Sequence, residues 1–330
     1  MSYERALLIL QYVNYVFLVF ASINTVYFIS TVVRAKTMHK NFRFFLCYTM
    51  AVIRLIGITR MFPELLQKMA PQSEFLDYFC ALFSFLNCIC TGLADWTMMS
   101  LVVERLIATR NHTSYERQGV GFAIGYMIFA FAYSVAFAAV VFFYDQSPWF
   151  QVLVTNTFTC VKQYKYIEIR LWCWFSMGTV TLIGLPIMRR IYKINKKLQR
   201  QMNTGLSSRY QLQENVMALK GLVPAITWGV MIIGNSGVFT CLLLFWDWYV
   251  SQQITSRILL LLEINVFVVD LSPTGYELIF LQSLPPLREI LKRDFSCCFK
   301  EPTEAQIFKN RPALADEGSV YFKQFQSQWG

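Results

Sequence analysis

The chain has 330 residues, 55% of them hydrophobic and 15% charged, with a mean hydropathy of +0.41 and a formal net charge of +10. A soluble domain carries about 25% charged residues, so this composition offers too little polar surface for a water-soluble fold, and it is too hydrophobic for a disordered one. In a polytopic membrane protein, basic residues gather in the cytoplasmic loops, so the positive charge calls for no nucleic-acid partner. The only histidines are His39 and His112, and the nine cysteines show no zinc spacing. No metal, cofactor or catalytic residue is expected.

A span needs about 20 apolar residues. Seven stretches qualify, at about 6–33, 44–66, 75–107, 121–144, 167–191, 221–247 and 258–284. The first is too long for a signal-peptide core and has no small-residue cleavage site after it, so it reads as an uncleaved helix. No internal repeat of the transporter kind is visible. Orientation follows from the charges beside the spans: 22 Lys and Arg flank one side and five the other. Positive residues stay inside, which sets the N-terminus outside and the C-terminus in the cytosol. The expected architecture is an all-α membrane protein, a seven-transmembrane helix bundle over residues 1–300. A flexible cytoplasmic tail follows over 301–330, and membrane lipids are its first partners. The Asn111-His112-Thr113 sequon falls on the cytosolic side and is expected to stay unmodified.

Charged groups inside a bilayer are costly and mark function. The second span holds Arg54 and Arg60, the third Asp95, and the seventh Glu263 and Asp270. Counting 1.5 Å per residue puts Arg54, Asp95 and Asp270 near the midplane and Arg60 and Glu263 in a second, outer layer. Two stacked ion pairs are therefore expected, Arg54 with Asp270 (or Asp95) and Arg60 with Glu263. The alternative is that each arginine snorkels or meets backbone carbonyls. Cys80 sits near the outer end of the third span and Cys160 in the outer loop between spans four and five. A disulfide between them would tether that loop; two free thiols are the alternative.

Glu104-Arg105-Leu106 closes the inner end of the third span, about 37 Å of helix below Cys80. An arginine there can pair with its neighbouring carboxylate at rest and turn to a partner when the helices separate. Residues 189–220 carry eight basic side chains against one acid, Glu214, and should extend helices five and six beyond the bilayer. The sixth span has its proline, Pro224, near the inner end; Gly229 and the run Gly234-Asn235-Ser236-Gly237 offer flexibility or close packing. The seventh contains Ser272-Pro273-Thr274-Gly275-Tyr276. Its proline removes a helix hydrogen bond, whether as a lone structural kink or as the pivot on which Tyr276 swings inward. Pro285-Pro286 should break that helix, followed by a short amphipathic helix over 287–296. Cys297-Cys298 is then placed for palmitoylation.

Seven spans with an outer N-terminus, an acidic-Arg pair and a Pro-x-x-Tyr segment resemble the rhodopsin-like G-protein-coupled receptors, with Leu106 and Ser272 departing from their usual residues. Two further stretches point to a narrower likeness. Residues 104–109 (ERLIAT) with 114–117 (SYER), and residues 206–215 (LSSRYQLQEN) with Ala218-Leu219-Lys220, resemble segments of the nematode Sre chemosensory receptors, whose relatives Sra, Srab and Srb share parts of the second. Ser114 stands where that family often has Asp. The resemblance implies a plasma-membrane chemoreceptor of sensory neurons that detects a small molecule and couples to a heterotrimeric G protein. The coupling switch would then involve Glu104, Arg105, Arg209, Tyr210, Pro273 and Tyr276. A ligand would bind between the outer halves of the helices, near Tyr78, Phe79, Trp96 and Glu263. Other classes fit less well. A seven-span ligand-gated channel with its N-terminus inside conflicts with the charge count, a transporter lacks its repeat, and an intramembrane aspartyl enzyme lacks flanking motifs.

Overall fold

A helix satisfies its own backbone hydrogen bonds, which is one of only two ways for a chain to cross lipid, and the sequence supplies long runs suited to it. In a computed structural model, residues 3–69, 74–111, 115, 119–144, 167–201, 206–246 and 256–296 are described. Among them there is no strand. The helices are α1 (Tyr3–Arg34), α2 (Lys40–Met69), α3 (Glu74–Arg110), α4 (Gly121–Tyr144), α5 (Ile167–Gln201), α6 (Leu206–Trp246), α7 (Ser256–Ser283) and the short α8 (Pro285–Asp294). Six of them, α1 to α4, α6 and α7, hold a stretch long and apolar enough to cross a membrane. The seventh long helix, α5, runs 35 residues.

Helices α5 and α6 outrun the expected spans. The 41 residues of α6 amount to about 62 Å of helix, twice the thickness of a hydrocarbon core. Its first 15 residues, beginning at Leu206, lie before the apolar run at 221. The seventh helix ends at Ser283, just ahead of the double proline, because the residue before a proline is disfavoured in helical conformation. The break falls at Leu284, and Pro285-Pro286 open α8. In a first helical turn the N–H that proline lacks has no intrahelical partner anyway.

Exposure is inverted relative to a soluble protein. Phe20, Ile23 and Val26 of α1 and Ile128 of α4 are more than 60% exposed, whereas Asn14, Thr31, Arg105, Ser134 and Glu277 are wholly buried. Large apolar faces outside and polar groups inside suit lipid as the solvent. This is a multi-pass membrane protein.

Residues 1–288 form one unit and 289–330 another. Within the first, α3 is central, packing on α2, α4, α5 and α6. The ring around it closes through α5–α6, α6–α7, α7–α1 and α1–α2. The ends of the helices that meet at the α1–α2, α3–α4 and α5–α6 connections are called the basic end below.

Candidate functional site

Arg105 lies one turn and a half from the end of α3, and no part of it reaches the surface. An arginine cannot shed its charge, so a buried one must find its partners nearby. Its Nε and Nη2 donate to the two carboxylate oxygens of Glu104, the preceding residue. The remaining edge donates from Nη1 to Asn215 Oδ1 of α6, at 2.9 Å. The guanidinium also sits 4.4 Å from the centroid of the Phe42 ring on α2.

Glu104 is held from a second side by the Tyr115 hydroxyl, which donates to its Oε1. Tyr115 belongs to the α3–α4 connection and is anchored by its backbone N–H to Asn111 O, 2.8 Å. Burial first, and the neighbouring Glu104 carboxylate second, push its phenol above the ordinary value, so it stays a proton donor. The Tyr115 ring rests 4.1 Å from the His39 imidazole in the α1–α2 connection, whose backbone N–H donates to Glu214 on α6. On the far side of α3, Asn195 of α5 donates to Thr109 at 2.8 Å. Two connections, α1–α2 and α3–α4, and helices α2 and α6 thus converge around one arginine. The ionic contact stays within α3, and the bond between α3 and α6 is to a neutral amide.

From the third-loop motif, the expected switch residues were Arg209 and Tyr210. Arg209 is exposed in the first turn of α6, and the Tyr210 side chain lies outside the described residues. The side chains that reach the site are Glu214 and Asn215, one to two turns further along. Glu214 could have been singled out as the only acid in a stretch of eight basic residues.

A second polar centre lies between α1, α2 and α7, and here the expected pairing changes. Asp270 takes Arg60, not Arg54, and also accepts from Asn14 Nδ2 at 3.1 Å. Arg54 donates to Thr25 Oγ1 (3.0 Å), to the backbone carbonyl of Asp270 (3.3 Å) and to Thr274 Oγ1 (3.1 Å). Its nearest carboxylate is Glu277, 4.0 Å away. Glu277 is itself bonded by Asn24 and Thr25 of α1.

The shift by one layer has a geometric cause. Side chains on a helix lean toward its N-terminus, and α2 and α7 run in opposite directions. Arg60 leans down and Asp270 leans up, so those two meet, while Arg54 is carried away toward Glu277. Residue counting along the axis omits this lean. Glu277 was legible as a further carboxylate in the seventh apolar run, two turns beyond Asp270. Glu263 is half-buried on α7, and Asp95 lies in α3 with its side chain outside the described residues.

The α6–α7 seam is notched. A Cβ on Gly229 would come 1.7 Å from the Tyr276 hydroxyl, and one on Gly275 would come 2.4 Å from Trp228 Nε1. Each helix therefore lends a glycine to the other's aromatic ring. Trp228 Nε1 donates to Ser272 O at 3.2 Å, beside Pro273. Tyr276 is 2% exposed, and its hydroxyl has no hydrogen-bond partner among the described residues. Of the two roles open to Gly229, flexibility or close packing, the second fits this contact, since the ring occupies the space a side chain would need.

The other expected residues fall as follows. Trp96 packs edge-on to Tyr126, Phe129 and Tyr133 of α4, and Tyr126 Oη donates to the Trp96 carbonyl at 3.1 Å. Engagement with α4 suits a packing role better than a ligand contact. Phe79 stacks on Phe83, which stacks on Phe62. The side chains of Tyr78 and Cys80, and all of Cys160, Cys297 and Cys298, lie outside the described residues.

The model of the family described as serpentine type 7TM GPCR receptor class ab chemoreceptor matches residues 2–330. The chain is 26% identical over 226 residues to serpentine receptor class beta-16 of Caenorhabditis elegans, covering 62% of this chain and 61% of that one. It is 27% identical over 207 residues to serpentine receptor class alpha-39 of the same organism, covering 59% and 53%. The chain thus spans a little over half the length of these curated relatives. The matching model is that of class ab, whereas the two loop segments had resembled class epsilon. With nearly every residue matched, the chain belongs to the class ab family of serpentine seven-transmembrane chemoreceptors.

Proposed function

We propose that the protein is a chemosensory receptor that binds a small molecule among the outer halves of its helices and signals through a heterotrimeric G protein. It has seven spans, α5 being the seventh, with the N-terminus outside and the basic end in the cytosol. The receptor domain is residues 1–300 and the tail 301–330. It works at the plasma membrane of a sensory neuron, with no enzymatic step and no cofactor. The likeness of its loop segments to class epsilon reflects sequence held in common across the superfamily.

One observation carries this reading: a wholly buried arginine at the basic end, ion-paired within its own helix and, among the described residues, hydrogen-bonded to α6 through Asn215 alone. The Arg105–Asn215 bond can break without separating Arg105 from its carboxylate, while Glu214 on α6 gives up the His39 N–H. Once α6 moves, Arg105 and Asn215 face a newly opened cavity between long helices α5 and α6, where a cytosolic partner can enter. Ligand binding needs only to favour that open state over the closed one.

The test has two arms. Epitope tags at the two termini are probed in intact and permeabilised cells; the N-terminal tag should be accessible in both and the C-terminal tag only after permeabilisation. The reverse pattern would overturn the G-protein reading and favour a channel of inverted topology. Co-expressed heterotrimers carrying donor and acceptor labels then report ligand-independent dissociation, which Arg105→Ala should abolish at equal surface expression.

A further inference from the structure

The cytosolic extension of α5 reads RRIYKINKKLQRQ from 189 to 201 and contains no acid. A groove of about 290 Å³ opens on it, lined by Lys193, Lys196, Lys197 and Arg200. All four side chains are exposed, and among the described residues none forms an ion pair with a carboxylate. Four like charges held this close on one helix repel one another, so their arrangement suits a polyanion.

The helical phase tells what that polyanion is. At 3.6 residues per turn, the four basic positions fall on an arc of about 100° that also contains Leu182 and Pro186. Leu182 is 59% exposed and lies within the uncharged run, so this face looks outward into lipid. The opposite face carries Met188, Ile191 and Asn195, all buried, with Asn195 bonded to Thr109 of α3. The basic stripe therefore continues the lipid-facing stripe and points away from the interior between α3, α5 and α6, where a G protein would enter.

Depth agrees. Lys193 begins about 7.5 Å beyond Met188, the end of the uncharged run, and Arg200 about 18 Å beyond. Side chains on α5 lean toward its N-terminus, back to the membrane. The headgroup layer extends roughly 5–8 Å past the hydrocarbon core on each side. The groove thus starts in that layer and reaches outside it, farther than a single lipid phosphate. From this geometry we infer that the α5 groove is a binding site for an anionic lipid of the cytoplasmic leaflet whose headgroup carries several phosphates, a phosphoinositide. The inference rests on the proposed orientation with the basic end in the cytosol.

The experiment uses the purified full-length chain in phosphatidylcholine nanodiscs containing trace fluorescent phosphatidylinositol 4,5-bisphosphate, with proximity read by energy transfer to a label on the receptor. Phosphatidylserine and phosphatidylinositol 4,5-bisphosphate are compared as competitors at equal total charge. The variant Lys193→Gln/Lys196→Gln/Lys197→Gln/Arg200→Gln should bind roughly tenfold or more weakly, because these four charges line one groove and would converge on a single multiply phosphorylated headgroup. The control Lys36→Gln/Lys40→Gln/Arg288→Gln/Lys292→Gln removes the same charge elsewhere and should change it less than about twofold, with phosphatidylserine a poor competitor. Equal losses in the two variants would reduce the stripe to bulk electrostatics and overturn the site. Unchanged binding in the stripe variant would overturn it as well. So would unchanged lipid binding together with lost G-protein activation, which would make the stripe a protein contact. Both nanodisc leaflets carry the lipid, so an error in orientation appears only in the tag experiment and leaves this result standing.

Discussion

The two buried arginine centres of this bundle are built on opposite plans. Around Arg105 the opposite charges are neighbours on one helix, and what crosses from α3 to α6 is a hydrogen bond to an amide. Between α2 and α7 the opposite charges sit on different helices, Arg60 against Asp270 and Arg54 toward Glu277, with α1 supplying amides and a hydroxyl. Parting α3 from α6 in the first case breaks a hydrogen bond to an amide and leaves Arg105 paired with Glu104. Parting them in the second exposes bare ions to lipid, at a cost of several kcal/mol per ion. Under the proposed function, the same residue type would make a releasable latch at one place and a fixed clamp at the other. The deciding variable is which helix carries the carboxylate.

The most severe way to break this comparison is to remove one partner of the clamp. Asp270→Asn leaves Arg60 with an amide in place of an ion, and loss of one partner of a buried pair costs about 3–5 kcal/mol. The expected outcome is a collapse of the folded fraction, seen as loss of the monodisperse peak and a lowered melting temperature in detergent. The double variant Arg60→Met/Asp270→Leu should recover most of the loss, since no charge remains unpaired. A double variant as poor as the single one would mean that the pair does not act as a unit.

The latch predicts the reverse response to damage. Asn215→Leu deletes the acceptor on α6 but leaves Arg105 paired with Glu104, so folding should survive. A hydrogen bond to a charged group contributes about 1.5–3 kcal/mol, which corresponds to a roughly tenfold to hundredfold shift toward the open state. The measurement is ligand-independent heterotrimer dissociation at matched surface expression. Unchanged basal signalling would show that α6 is held by something other than this amide. Because Asn215 Nδ2 is buried without a partner in the closed arrangement, the wild-type amide gives up only one bond on leaving.

What the sequence disclosed follows the same division. Span positions, the buried charges on α2 and α7 and the Glu104-Arg105 pair are local features, legible from hydropathy and spacing. The α6 partners of the latch were not, because several residues of the third-loop motif were equally polar and only the tertiary phase selects Asn215 over Arg209. The clamp was half legible. The residue inventory pointed to ion pairs between α2 and α7, but axial counting ignored the opposite lean of side chains on antiparallel helices. Asp270 therefore meets Arg60 in place of Arg54, and Glu277 had not been singled out. The glycine notches were invisible in principle, since nothing in the chain near Gly229 announces that Tyr276, 47 residues later, will fill its missing side chain.

Those notches lie between latch and clamp and give a prediction of intermediate size. Gly229→Ala puts a methyl group where the Tyr276 hydroxyl now stands, 1.7 Å from it. Overpacking costs typically about 1–3 kcal/mol, and the strain is relieved by moving α6 off α7. Gly229→Ala should therefore lower the melting temperature and raise basal signalling together. Combining it with Tyr276→Phe, which removes the clashing oxygen, should restore both in part. A Gly229→Ala protein indistinguishable from wild type in both readouts would mean that the seam does not constrain α6.

The smallest effect expected separates the two halves of the latch itself. Tyr115 donates to Glu104 Oε1, the oxygen that also accepts from Arg105 Nη2, and the phenol is held protonated by burial and by the carboxylate it faces. Tyr115→Phe removes that one donor while keeping the ring against His39, a change of about 1 kcal/mol. Glu104 keeps both bonds from Arg105, so the ion pair survives and the latch should loosen only slightly. Basal signalling should rise a fewfold, well below Asn215→Leu, and the double variant should depart from the sum of the two effects because both bonds belong to one network through Glu104 and Arg105. The sign of the phenol's shift also fixes the pH response. A tyrosine whose ionisation is suppressed in the folded protein contributes its full stability below its ordinary titration near pH 10 and loses it only above that. The difference between wild type and Tyr115→Phe should therefore stay constant from pH 6 to about 9, whereas a dependence on pH within that window would show that a group other than the phenol sets the effect.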